Sequence, residues 1–206
     1  MEGLLQAFET LRVIRKETDG DIRGRMPENE VDLLRAAVVF TGAGLDATLK
    51  QLIRDTLPLL LPSNQQAQDK FESFAADRLG TGELADTRML ARYLTSSDPR
   101  SRLIEDYILH LTGSSLQSAE EVQLVAGALG IDDGALRKRI SGLRPLFAMR
   151  NEISHELDLR RPEKQGDRSR RTRRKDRTIK QCHEGLEVGQ QIINAVGALL
   201  SPELGG

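Results

Sequence analysis

The feature that most constrains this chain is a helical spacing of apolar residues that recurs along almost its whole length. It is longest between about Glu30 and Thr56, where Leu34, Val38, Thr41, Leu45, Leu52 and Ile53 keep to one face until Pro58 and Pro62 close the run. No segment shows the strict alternation of a half-buried strand. Aromatic residues make up 3% of the chain and tryptophan is absent, while Leu, Ala, Arg, Glu and Gln abound. That composition suits helices and withholds the aromatic and β-branched residues that sheets draw on. The expected fold class is all-α: one helical bundle over residues 1–206.

Local signals divide the rest of the chain into helices. A first helix fits Glu2 to about Lys16 with Leu4, Phe8 and Leu11 inward, broken by Asp19-Gly20. Shorter helices fit Gln65–Leu79 and Glu83–Thr95. Asp98 as N-cap with Pro99 behind it opens a helix carrying Leu103, Tyr107 and Leu111. Ser118 and Glu121 have capping-box spacing and start a helix ending near Gly130. Asp132 is a candidate cap for a short helix up to Gly142, and Pro145 starts another through Leu146, Met149, Ile153 and Leu157. A last helix from about Thr178 is expected to bury Leu186, Ile193, Val196 and Leu200.

Charge is nearly balanced overall, with 30 Lys+Arg against 31 Asp+Glu, but not locally. Residues 160–177 hold ten Lys/Arg and three acids, a charge of +7 that leaves −8 on the remainder. So polar a stretch offers little apolar surface to offset its ordering entropy, and it reads as a mobile basic loop suited to a polyanion. A run of Arg is most often a solvated, disordered segment, and the alternative is one that contacts acidic surfaces of this chain or of a protein partner. No membrane span or signal peptide is legible, which makes the cytoplasm the default compartment and predicts no membrane partner. The single cysteine, Cys182, cannot form an internal disulfide and is too little for a thiolate zinc site. No carboxylates stand at convincing metal-ligand spacing, so neither metal nor cofactor is expected.

The segment Val38-Val39-Phe40-Thr41-Gly42-Ala43-Gly44 is similar to the opening of the NAD-dependent sirtuin deacylases, but the likeness stops after seven residues. The Gly-Ile-Pro-Asp-Phe-Arg stretch, the paired Cys-x-x-Cys zinc ligands and the strand–helix alternation that should accompany it are absent. The same residues fit the long helix, where Gly42, Ala43 and Gly44 would admit close approach of another helix. Of three histidines, His110 lies beside the Leu103–Tyr107–Leu111 stripe as a packing residue, and His183 follows Cys182 without further ligands at metal spacing. His155 stands apart. It points almost opposite the Met149–Ile153–Leu157 stripe, one turn above Asn151, and Arg150 can swing its guanidinium to the same face.

The spacing Arg150-Asn151-x-x-x-His155 resembles the R-x4-6-H motif of the HEPN superfamily of all-helical domains, where a polar residue, often Asn, directly follows the Arg. Leu33-Leu34-Arg35-Ala36-Ala37-Val38-Val39 leading to Leu45-Asp46-Ala47 and Leu49 is similar to the long helix of the RiboL-PSP branch. His155-Glu156-Leu157-Asp158 is similar to the residues after that branch's histidine. The likeness covers about residues 30–200, with extra N-terminal and middle helices. It implies a metal-independent endoribonuclease, in which two chains of a homodimer face their motif helices across a composite site and a ribose 2′-hydroxyl attacks the adjacent phosphate. Arg150, Asn151 and His155 would carry catalysis. Histidine exchanges protons near neutrality, arginine offers a planar fork to phosphate oxygens, and Asn151 would orient His155 or bond the substrate. Arg168, Arg170, Arg171, Arg173, Arg174 and Lys175 would gather RNA without reading its bases, since the loop carries no aromatic side chains for stacking. A toxin or anti-phage defence role, with an antitoxin or regulatory protein as partner, is implied by the resemblance alone. The rivals are a non-catalytic RNA-binding HEPN domain and a protein-interaction module that docks through the basic loop.

Overall fold

The computed structural model describes residues 2–20, 26–79, 87–160, 163, 169–171 and 173–201. Among the described residues the chain forms nine helices: α1 (Glu2–Asp19), α2 (Glu28–Leu60), α3 (Gln65–Leu79), α4 (Thr87–Leu94), α5 (Pro99–Thr112), α6 (Ala119–Ala128), α7 (Gly134–Ser141), α8 (Arg144–Glu156) and α9 (Lys175–Leu200). The only extended pairing among those residues is an isolated antiparallel bridge between Leu159 and Arg170. The fold class is all-α, and Val38–Thr41 lie within α2 and not in a strand. No described helix is long and apolar enough to cross a membrane.

The chain divides into two compact units, one of Met1–Leu45 with Ser141–Val188 and one of Asp46–Ile140 with Gly189–Gly206. The first unit buries Leu5 and Phe8 of α1, Leu34, Ala37, Val38 and Leu45 of α2, Leu146 and Phe147 of α8, and Cys182 and Val188 of α9. In the second, Leu49, Ile53 and Leu57 of α2 are buried, as are Val122 and Val125 of α6. There the Tyr107 ring packs on Phe74 at 4.7 Å and on Phe71 at 5.6 Å. Asn64 caps α3, its Oδ1 accepting from the Ala67 N–H at 2.9 Å. A Cβ at Gly130, which has φ +73°, would collide with that Asn64 side chain.

Helix starts follow their sequence signals closely. Asp98 accepts from the Ser101 N–H and Ser118 from the Glu121 N–H. Asp133, not Asp132, caps α7, taking the Ala135 N–H at 2.8 Å, while Asp132 pairs with Arg137. Pro58 does not stop α2, which runs two residues further to Leu60, because a proline in the last turn removes a single intrahelical bond. Residues 80–86, the start of the helix expected at Glu83–Thr95, lie outside the described residues.

Three expected core faces are corrected. On α1, Leu5 joins Phe8 inside while Leu11 is exposed. On α9, Leu186 and Leu200 are exposed and Ile193 is half-buried, leaving Val196 as the one expected residue that is fully inside. The buried line of the first unit's part of α9 is Cys182, Gly185 and Val188. Small residues mark it because the helices meet tightly there: a Cβ at Gly185 would stand 2.8 Å from Leu146 Cδ2 and 2.9 Å from Thr41 Cγ2. The close approach expected at Gly42–Gly44 is found at Gly42, where a Cβ would stand 3.3 Å from Arg150 Cγ of α8, and more tightly at Gly185, while Gly44 has open space beside it. On α8, Met149 is buried and Ile153 half-buried, but Leu157 is 69% exposed because the helix has already ended.

Candidate active site and its arginine flank

Helix α8 places the R-x4-H triplet on its solvent side. Pro145 pre-sets the first turn, and Leu146, Phe147 and Met149 anchor the helix inward. Asn151 and His155 are exposed one turn apart, and Arg150 wraps around the helix toward them. Its Nη1 donates to Asn151 Oδ1 at 3.1 Å and lies 3.4 Å from His155 Nε2. A guanidinium only donates, so the second contact is a hydrogen bond when Nε2 carries the lone pair. The arginine stem is seated on α2, since a Cβ at Gly42 would come within 3.3 Å of Arg150 Cγ. The expected face is therefore assembled: cation, amide and imidazole within contact distance, all reachable from solvent.

The backbone just beyond His155 is unusual. Leu157 and Asp158 both adopt left-handed conformations, with φ of 51° and 57°. Two consecutive non-glycine residues there are costly and need external support. Asp158 supplies it. Its fully buried carboxylate accepts from Arg35 Nε of α2 at 2.7 Å and from Arg173 Nε, just before α9, at 3.1 Å. Arg173 Nη2 closes a second contact on the other carboxylate oxygen, making that pair bidentate. The Arg160 N–H donates to the Ser169 carbonyl and the Arg171 N–H to the Asp158 carbonyl, each at 2.8 Å, which ties the ends of the basic segment together.

Arg35 also bonds Glu28 and Asp32, each at 2.7 Å. Burial works against its charge, but the bonds from Asp158, Asp32 and Glu28 outweigh that and hold its pKa above the ordinary arginine value. The bond from Arg35 holds the Glu28 carboxyl below its usual range, with Arg170 adding a smaller contribution. Arg170 reaches Asp32 at 2.9 Å and Glu28 at 3.2 Å. Arg171 reaches Glu156 at 2.7 Å, and that bond raises its pKa. Arg173, 9% exposed, also takes Glu152 at 2.8 Å. Four arginines (Arg35, Arg170, Arg171, Arg173) thus face five carboxylates (Glu28, Asp32, Glu152, Glu156, Asp158).

Of the six basic residues expected to gather RNA, Arg168 lies outside the described residues, and Arg170, Arg171 and Arg173 are engaged by the chain's own acids. Lys175 pairs with Glu9 at 2.6 Å and sits over the Phe8 ring. Arg174 is exposed and carries no ion pair among the described residues. The mobile-loop expectation does not hold for 169–171 and 173, which are tied down, nor for 175–177, which form the first turn of α9 ahead of the expected start at Thr178, and its positions at 161–162, 164–168 and 172 lie outside the described residues. Sequence reasoning gave no role to Arg35 or Asp158 beyond their place in the segments similar to the RiboL-PSP branch. The signal was an arginine among the buried positions of a long amphipathic helix, which calls for a buried acid elsewhere.

The other histidines stay outside this site. His110 packs its ring on Phe74 at 5.2 Å, and His183 is exposed beside a buried Cys182 whose thiol pKa is pushed up by burial. Among the described residues no His, Cys, Asp and Glu group has the geometry to hold a metal ion. Comparison of the chain with family models, with curated proteins and with solved structures finds no match.

Proposed function

We propose that this chain is an endoribonuclease of the HEPN type, working by the metal-independent chemistry that the resemblance implies. The observation that carries the reading is the Arg150–Asn151–His155 contact set on the open face of α8. As Arg150 turns from His155 to the phosphate, Nε2 is freed and takes the proton of a ribose 2′-hydroxyl as the oxygen attacks the adjacent phosphorus. Arg150 bonds the phosphate oxygens as negative charge builds, and Asn151 holds the guanidinium in place. The P–O5′ bond breaks, leaving a 2′,3′-cyclic phosphate and a 5′-hydroxyl that needs a proton. A homodimer supplies that proton from the imidazolium of the second copy. Phe40, 61% exposed on α2 with Ala43 and Gly44 exposed on the same face, supports such a pairing. The cytoplasm is the proposed site of action, and a toxin or defence role with an antitoxin rests only on the resemblance.

The test is a short single-stranded RNA incubated with purified protein in EDTA. Cleavage with cyclic-phosphate ends is the expected result, and His155→Ala should lower the rate by about 10²–10⁴-fold. Arg150→Ala should also impair it. Binding without cleavage would instead identify a non-catalytic RNA-binding domain. Neither binding nor cleavage would leave the protein-docking module, a reading weakened by the internal pairing of Arg170, Arg171 and Arg173.

A further inference from the structure

Beside the triplet lies a cleft of about 380 Å³, lined on one side by Pro145, Ala148, Met149 and Glu152 of α8 and on the other by Arg171, Arg173, Arg174, Arg177 and Thr178. We infer that this cleft is a subsite for one nucleotide of a single-stranded RNA, its base on the apolar floor and its phosphate on Arg174 and Arg177. The inference rests on the ribonuclease reading and places the substrate within it.

Three observations carry it. The first is division of labour among the arginines. Arg171 and Arg173 spend their charge on Glu152, Glu156 and Asp158, so they build the wall without offering net charge to a ligand. Arg174 and Arg177 line the same cleft, are exposed, and have no ion pair among the described residues. Arg174 stands immediately before α9 and Arg177 in its first turn, both on the cleft wall, and the amide end of that helix adds a favourable field for an anion.

The second is the floor. Pro145, Ala148 and Met149 give an apolar patch under guanidinium planes, a combination that takes a flat heteroaromatic ring and not a bare anion. Glu152, the one carboxylate in the lining among the described residues, is held by Arg173 and so does not leave an open negative charge under a phosphate. The volume falls within the range of sites for small ligands and is small for a duplex.

The third is placement. Ala148 and Glu152 precede Asn151 and His155 by three residues each, so the cleft and the catalytic face are adjacent stripes of one helix. A strand whose scissile phosphate sits at Arg150 and His155 has its neighbouring nucleotide over this floor. Arg177 was outside the basic residues that the sequence marked for RNA, and the floor carried no sequence signal of binding at all.

The experiment uses the full chain with His155→Ala, which silences cleavage, and a fluorescent single-stranded RNA followed by anisotropy at several salt concentrations. Adding Arg174→Ala and Arg177→Ala should weaken binding about tenfold or more and lower the salt slope by about 1.4, two single-strand contacts' worth. Ala148→Glu alters an exposed position, should keep the parent's melting temperature, and should weaken binding as well. A nucleoside monophosphate should displace the RNA at lower concentration than inorganic phosphate. Unchanged affinity in these variants overturns the subsite. So does equal competition by inorganic phosphate together with an Ala148→Glu protein that binds normally, since that describes an anion site without a base. If the wild-type chain binds RNA through the cleft yet never cleaves it, the ribonuclease reading fails and the subsite stands. If it cleaves RNA with a KM that these substitutions leave alone, the subsite fails and the ribonuclease stands.

Discussion

Asp158 shows how one buried carboxylate can fix a site it does not enter. It sits three residues past His155, in the second of two left-handed positions, between arginines from α2 and from the approach to α9. Asp158→Asn keeps the volume and removes the charge, which takes the fully buried partner from Arg35 and Arg173 and leaves them Glu28, Asp32 and Glu152. Weakening these charge-assisted bonds should cost about 1.5–3 kcal/mol in chemical denaturation. Leu157 invites the opposite change: its side chain is exposed and its φ is +51°, so Leu157→Gly should stabilise by about 1 kcal/mol. A loss of stability on Leu157→Gly would mean the leucine side chain is needed, against its exposure. Glu28 makes the cluster acid-sensitive with a definite sign. Its folded pKa is lowered from an ordinary 4.5, so its contribution is complete above the unfolded value and is lost as pH falls through the lowered one. The difference in melting temperature between wild type and Glu28→Gln should therefore be constant near neutrality and shrink on acidification below about pH 4.5.

At the scale of elements, helix α9 separates what the sequence shows from what it hides. Its existence is plain from periodicity, which puts Leu186, Ile193, Val196 and Leu200 inward, while Cys182, Gly185 and Val188 are the buried line of its first half. Reading bulk as burial fails wherever two helices touch closely, because there the small residues are inside. The caps were legible because they are local: Asp98 and Ser118 act within three residues of themselves. The triplet of α8 was legible for the same reason, since i and i+4 share a face whatever the helix packs against. The clamp on Asp158 was not, because it joins residues 123 positions apart. Nor was the fate of the basic segment, whose arginines find acids on α2 and α8 that no local pattern links to them. Gly185 gives the element-scale test. Gly185→Ala forces a Cβ against Leu146 and Thr41 and should destabilise by about 1–3 kcal/mol, whereas Gly44→Ala meets open space and should stabilise by up to about 1 kcal/mol through helix propensity. Similar effects at the two positions would contradict the close packing of α9 on α2 and α8.

At the scale of the whole molecule, the proposed chemistry turns on the second proton. Each chain brings one histidine of this kind, and His110 and His183 lie outside its contact set. Base and acid are both required at a P–O5′ bond that breaks near neutral pH, so the reading demands two copies per site. Light scattering should find a dimer, and Phe40→Glu, which puts a charge on an exposed aromatic of α2, should shift it toward monomer without lowering the melting temperature of the isolated chain. Subunit mixing then tests the composite site independently of any choice of interface. Wild-type and His155→Ala chains are denatured together, refolded at equal ratio, and assayed on RNA. If each site needs both histidines, mixed dimers are silent, and activity should fall to about one quarter of that of the same total amount of wild type. About one half would mean that each chain cleaves alone, with a single imidazole serving as base and then as acid. The four-arginine, five-carboxylate cluster is built entirely from residues of one unit of one chain, so the mixed dimers should refold with wild-type stability and the comparison reads chemistry alone.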